Sequence, residues 1–238
     1  MLFRDTPDTA EAPGRVAAVT GDGVILEASL FYPQGGGQPG DTGRLTRPGG
    51  AMTVADTRHG AEGTIVLIPA EGAEMPPEGA EVAQHLDWGR RHLHMRVHTA
   101  LHLLSVVIPR PVTGGSIADG KGRLDFDMPE APGDKPALEA ELNALIARDL
   151  PVTTEWIDEA ALDDRPELVK TMAVAPPRGE GRVRLVRIGA PDDTADLQPC
   201  GGTHVARTGE IGTITLGKIE KKGRQNRRVT LHLAAPDP

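Results

Sequence analysis

Two short stretches carry residue types at a spacing suited to metal chemistry. In HTALH, His98 and His102 stand four residues apart. Residues at i and i+4 of a helix lie one turn apart on one face, so two imidazoles so placed can grip a single ion. In QPCGGTHV the sole cysteine, Cys200, precedes His204 by the same spacing, about a hundred residues further on. Three imidazoles and a thiolate make a donor set suited to zinc. Taken alone, each stretch reads as ordinary, since a free cysteine commonly packs as a small hydrophobe. Together they supply a complete four-ligand shell, and Cys200 sits beside two glycines rather than on an apolar face. Closed four-ligand zinc sites are usually structural, whereas catalytic ones keep a place for water or expand to five ligands, so spacing leaves both roles open. Backbone N–H groups at Gly201, Gly202 and Thr203 are candidates to steady a developing oxyanion. No Ser-His-Asp or Cys-His nucleophile arrangement is evident. Five of the 8 histidines fall between His85 and His102; His85, His92 and His94 read as surface or ligand-supporting residues, and His59 and His232 carry no pattern.

A second feature is electrostatic. The net charge is -8, yet KIEKKGRQNRR sets Lys218, Lys221, Lys222, Arg224, Arg227 and Arg228 against Glu220. Such a run is ordinarily a solvated face, but clustered cations in an acidic chain can also meet phosphates locally. Aromatic residues are only 3%, so stacking on bases is a minor term.

These groups need elements to position them. Asp87 can cap a helix in which Leu93, Val97, Ala100, Leu101, Leu104 and Ile108 recur at helical spacing. KPALEAELNALIARDL predicts a second helix, with Leu138, Leu142, Leu145 and Ile146 on one face, and Asp158 to Lys170 contains a shorter third. GRVRLVRIG, EIGTITLGKIE and RRVTLHLA predict strands. Earlier, RVAAVTGDGVILEASLFYP predicts a hairpin about a Gly-Asp-Gly turn, GTIVLIP a strand, and PAEGAEMPPEGAEV a surface loop. The expectation is an α+β fold. Residues 1–85 form a glycine-rich domain, barrel-like or a sandwich, and residues 86–238 a zinc-containing domain with an antiparallel sheet packed on helices.

With 25% charged and 38% hydrophobic residues the chain suits a soluble globular protein. One cysteine cannot form an internal disulfide, which points to a reducing, cytoplasmic compartment. No signal core and no apolar run of about 20 residues points to a membrane. A monomer is the favoured state.

HTALHLL, GGSIADGKGRLDFD, CGGTHVARTGEIG and KIEKKGRQNRRV together resemble the editing domain of alanyl-tRNA synthetase and its free-standing relatives, the AlaX proteins. FYPQGGGQPGDTG (Phe31 to Gly43) resembles the family's glycine-rich motif, and the likeness runs from about Phe31 to about Leu233. The length leaves no room for a class II aminoacylation domain and suits the medium-length AlaX form. The resemblance implies zinc-dependent hydrolysis of alanine tRNA mischarged with serine or glycine, with zinc at His98, His102, Cys200 and His204. With tRNA as partner, the six cations of the basic run become candidates for phosphate contact. Thr113 stands about where the synthetase pattern has a glutamine, and Thr113 and Ser116 are candidate pocket residues. Gly35, Gly36 and Gly37 fit either close approach of backbone or a turn with positive φ. Three other readings remain: a zinc-stapled RNA-binding protein without catalysis, an editing enzyme for another amino acid, and a general metallohydrolase of small esters.

Overall fold

The computed structural model describes residues 1–172 and 181–234. The chain divides into two compact units, Met1–Leu93 and His94–Pro238.

In the first unit a single helical turn, α1 (Leu2–Asp5), is followed by β1 (Glu11–Val19), β2 (Val24–Leu26), β3 (Gly43–Arg47), β4 (Gly50–His59), β5 (Ile65–Pro69) and β6 (Glu81–Leu86). The strands close into a barrel in the order β1-β2-β5-β4-β3-β6. Closure decides between barrel and sandwich and leaves no strand edge unpaired. The expected hairpin is present: Thr20 N–H donates to Gly23 O at 2.9 Å, and Val19 pairs with Val24. Side chains alternate as a half-buried strand requires; on β4 Met52 and Val54 are buried while Ala51 and Thr53 are exposed. The barrel core includes Val16, Phe31, Met52, Leu67 and Val82.

The glycine run makes a turn. Gly35 N–H donates to Gln38 O at 3.1 Å, and Gln38 N–H returns a bond to Gly35 O at 2.9 Å. Between them Gly36 and Gly37 take φ of 56° and 84°, values that glycine adopts without a Cβ penalty. Downstream, Asp41 accepts from Tyr32 N–H at 2.6 Å and from Arg91 Nε at 2.9 Å, and Arg91 also donates to Leu30 O at 2.9 Å. Asp41 and Arg91 are both buried, and these bonds to charged groups offset the cost of desolvating them. The network pins the glycine-rich segment to the first turns of α2 (Trp88–Val107). Asp87 begins that helix as its pattern predicts, accepting from Arg90 N–H at 3.1 Å.

From His94 onward the second unit holds the rest of α2, then β7 (Val112–Ala118), β8 (Lys121–Asp127), α3 (Lys135–Ala147), β9 (Val152–Asp158), α4 (Glu159–Asp163), β10 (Arg182–Ala190), β11 (Asp193–Pro199), β12 (Ile214–Lys221) and β13 (Asn226–Leu233). Two antiparallel sheets result, ordered β12-β13-β8-β7 and β11-β10-β9. On β8, Gly122, Leu124 and Phe126 face inward. A Cβ at Gly122 would lie 2.6 Å from Val97 Cγ1 and 3.0 Å from Leu101 Cδ1, so the absent side chain is what lets β8 pack directly on α2. The α3 helix starts at Asp134, whose carboxylate accepts from Ala137 N–H at 2.9 Å. It buries Leu142 and Ile146, while Leu138 and Leu145 are half-buried. Two of its polar side chains cover the edge of β12: Asn143 pairs with both Ile214 N–H and Ile214 O at 2.9 Å, and Glu139 accepts from Leu216 N–H at 2.6 Å. Among the described residues no helix is long and apolar enough to cross a membrane.

Candidate metal centre

The helix α2 and the loop after β11 bring the two paired motifs together. The Nδ1, Nε2 or Sγ donor atoms of His98, His102, Cys200 and His204 lie within 4.8 Å of one another. Cys200 Sγ is 3.5 Å from His98 Nε2 and 3.3 Å from His204 Nε2. Ligand atoms 2.0–2.3 Å from a tetrahedral zinc stand roughly 3.3–3.7 Å apart, a range that holds both separations from Cys200 Sγ. The three histidines are buried and Cys200 is half-buried.

Hydrogen bonds set which nitrogen the rings of His204 and His102 present. Thr99 Oγ1 donates to Met95 O at 3.0 Å, so it accepts from His204 Nδ1 at 3.1 Å. His204 therefore carries its hydrogen on Nδ1 and turns the Nε2 lone pair toward Cys200. His102 Nδ1 lies 3.0 Å from Asp196 Oδ2, which likewise leaves Nε2 for the cluster. Ligating histidines are commonly held in this way by a carboxylate or carbonyl. The loop is braced by Arg184, whose Nη1 donates to Cys200 O at 2.8 Å and Gly202 O at 3.0 Å. Cys200 N–H returns a bond to Arg184 O at 3.1 Å.

The electrostatics favour the ligand forms of Cys200 and His204 but hold His102 toward its protonated form. Burial pushes the Cys200 thiol up, but His98 and His204 beside it outweigh that and hold it well below its ordinary value. Burial, with His98 adding to it, pushes His204 down to about 3. For His102 burial works downward, but the bonds to Asp196 and Cys200 prevail and raise it to about 9. Burial works upward on Asp196, yet His102 and Lys170 hold it down to about 2. A thiolate and neutral imidazoles are what a divalent cation binds, and binding displaces any proton that remains.

Other expected site residues are placed differently from one another. Gly202 N–H donates to Cys200 Sγ at 3.4 Å, so this amide is turned to sulfur; around Gly201 the space where a Cβ would project is open, and Thr203 is buried. Thr113 Oγ1 donates to Asp125 O at 3.1 Å and accepts from Asn226 Nδ2 at 2.8 Å. Ser116 is half-buried on β7, opposite Arg123 of β8. The basic run splits. Lys218, Lys221, Lys222 and Arg224 are exposed along the β12–β13 hairpin. Arg227 instead is buried, donating to Gly223 O at 3.1 Å, to Asn226 O at 2.9 Å and to Pro129 O. Arg228 grips Asp125 with both Nε and Nη2, at 2.8 and 2.9 Å. Strand alternation turns Arg227 inward and cross-strand pairing ties Arg228 to Asp125, while Lys222 pairs with Glu220 at 3.3 Å. Of the remaining histidines, His85 pairs with Glu11 at 2.9 Å and His92 stacks on Trp88. His94 is buried with Nε2 on Asp119 at 2.8 Å. Thr99, Arg184, Asp196 and Gln198 escaped the sequence reading; each lies beside a ligand motif or in a strand pattern, and none has a spacing that marks it.

Comparison with known proteins places this geometry in context. Residues 183–230 match the family described as threonyl and alanyl tRNA synthetase second additional domain, and residues 4–90 match tRNA synthetases class II (A). The chain is 34% identical over 213 residues to an alanine–tRNA ligase of Pyrobaculum calidifontis, covering 85% of this chain but 23% of the ligase. It thus spans about a quarter of the length of the ligases it matches. It is 34% identical to the alanyl-tRNA editing protein AlaX-L of Pyrococcus horikoshii, over 87% of this chain and 50% of that protein. With the alanyl-tRNA editing protein AlaX-M of Methanosarcina acetivorans the identity is 32% over 225 residues, spanning 87% of this chain and 86% of that protein. A match of that extent, carried on a barrel unit and a unit that assembles the His-Cys cluster, shows that the chain belongs to the AlaX family of alanyl-tRNA editing proteins.

Proposed function

We propose that the protein hydrolyses the ester linking serine, and more slowly glycine, to alanine tRNA, with zinc held by His98, His102, Cys200 and His204. The observation that carries this reading is the four-donor cluster assembled from α2 and the CGGTH loop in a chain of this family. Bound zinc supplies Lewis acidity toward water or a carbonyl. The aminoacyl ester is already activated, so no protein nucleophile is required, and Cys200 acts as a ligand. The loop is open at Gly201, where an ester carbonyl can approach, and Arg184 keeps the loop rigid through two of its carbonyls. Lys218, Lys221, Lys222 and Arg224 are exposed and serve as the phosphate contacts.

Discrimination rests on a hydroxyl. Alanine and glycine differ by one methyl, worth about 1–3 kcal/mol in a pocket. Serine offers an O–H whose loss leaves a pocket acceptor unpaired. Thr113 Oγ1 has already committed its hydrogen to Asp125 O and one lone pair to Asn226, so its second lone pair is the acceptor for a serine hydroxyl. The test is deacylation of serine-, glycine- and alanine-charged alanine tRNA by zinc-loaded protein, with and without a chelator. The expected order is serine faster than glycine, with alanine spared and all activity lost on chelation. Hydrolysis that survives complete zinc removal overturns the metal-dependent reading, and equal rates on serine and glycine overturn the role of the hydroxyl.

A further inference from the structure

Asp196 lies on β11 with its carboxylate fully enclosed. Among the described residues it meets His102, Gln198 and Lys170. Oδ2 faces His102 Nδ1 at 3.0 Å and Gln198 Nε2 at 2.8 Å, and Oδ1 takes the Lys170 ammonium. An ammonium has donors only, so Oδ1 can only accept there. Gln198 Nε2 also reaches Ser105 Oγ at 3.4 Å, and Ser105 donates to His102 O at 2.7 Å. Both ends of His102, its ring and its carbonyl, are thus tied to one polar network. Lys170 is itself placed by backbone: Val112 N–H donates to Lys170 O at 2.9 Å and Met172 N–H to Val112 O at 2.7 Å. Its side chain remains partly open to solvent, at 28% exposure against 0% for Asp196.

Resting on the zinc reading above, we infer that Asp196 is the positioning residue that fixes the nitrogen His102 offers to the metal, and that Lys170 fixes the carboxylate in turn. Donor parity decides the tautomer. With both carboxylate oxygens accepting, His102 must donate from Nδ1, and its Nε2 lone pair is left for the ion. An asparagine at 196 has one acceptor and one donor end. Lys170, the charged donor, would claim the acceptor end, so the amide N–H₂ would face His102 Nδ1 and also Gln198, whose own amide would have to turn to offer its oxygen. His102 would then accept at Nδ1 and carry its hydrogen on Nε2, the wrong tautomer for a ligand. Removing Lys170 frees the amide to turn round and restores the correct pairing.

Zinc affinity, measured by competition with a chromophoric chelator, tests this on the full chain, alongside the visible spectrum of the cobalt-substituted protein. Asp196→Asn is expected to weaken zinc binding by about 10–100-fold and to alter the cobalt spectrum. The double variant Asp196→Asn with Lys170→Met is expected to bind more tightly than Asp196→Asn alone, a recovery that a merely structural carboxylate does not produce. Lys170→Met alone, at a partly exposed position, is expected to fold and to bind zinc more weakly than the unaltered chain, with Lys170→Arg restoring the affinity. An Asp196→Asn affinity within about twofold of the unaltered chain, or a double variant no tighter than the single, overturns the inference. If Asp196→Asn does not fold, unchanged affinity in Lys170→Met overturns it. An unaltered chain that takes up no zinc defeats the metal reading together with this inference, whereas normal uptake with unmoved variants defeats this inference alone.

Discussion

Cations close together in sequence can have unrelated jobs, and the basic run is the case here. Arg227 is inward-facing on β13 and its guanidinium satisfies carbonyls at Pro129, Gly223 and Asn226. Replacing it by alanine removes a buried side chain and its bonds to three carbonyls, and is expected to destabilise the fold by about 1–3 kcal/mol. Lys221, Lys222 and Arg224 are exposed, and alanine at all three is expected to leave stability within about 0.5 kcal/mol. The same triple change is expected to reduce the slope of log affinity for tRNA against log salt by roughly 2–3, at about 0.7–0.9 per lost phosphate contact. Urea denaturation and filter binding at several salt concentrations separate the two roles. An unchanged salt slope for the triple variant returns the hairpin to a solvated face. None of this division is legible from charge spacing, because which of two neighbouring arginines points inward depends on the register of β13 against β8.

At the scale of elements, the close approach of β8 to α2 is decisive. Gly122→Val places a branched side chain where even a Cβ would be 2.6 Å from Val97. Overpacking of this kind costs about 1–3 kcal/mol, and because His98 and His102 ride on the same helix, zinc affinity is expected to fall with stability. A melting temperature and zinc content equal to those of the unaltered chain would contradict the packing argument. The outer face of that sheet gives a pH signature. Burial pushes Asp125 up, but the bonds from Arg228 and Arg123 prevail and lower it below 3.8. A carboxylate lowered in the folded state contributes stability that is present above its unfolded value and lost as pH falls through the folded one. Asp125→Asn is therefore expected to be less stable than the unaltered chain at pH 6, with the gap closing below about pH 3.8. Urea midpoints across that range measure it, and a gap that is constant with pH rules the effect out. The helices α2 and α3 were legible because 3.6-residue periodicity, with the cap at Asp87 for α2, is a local signal. By contrast β7 and β8, VTGGSIA and KGRLDFD, carry glycines that dilute the alternation, and their pairing is set by partners far away in sequence.

For the molecule as a whole, the zinc reading links metal binding to folding. A ligand that binds only the folded chain stabilises it by about 2.7 kcal/mol at a free concentration one hundred times its Kd. The zinc-loaded protein is expected to unfold at higher urea than the chelated one, with a midpoint that rises with free zinc. Coincident midpoints mean the cluster does not couple to folding. The paired spacings His98–His102 and Cys200–His204, the helix under the first pair and the family likeness were all determined by the sequence alone, since i to i+4 geometry and short motifs need no distant partner. Only the tertiary structure decided that a helix and a loop about a hundred residues apart would meet, that Thr99 and Asp196 would lie in hydrogen-bonding reach of the rings, and that Arg227 would be buried. Those outcomes depend on strand register and packing between segments remote in the chain, which local spacing does not encode.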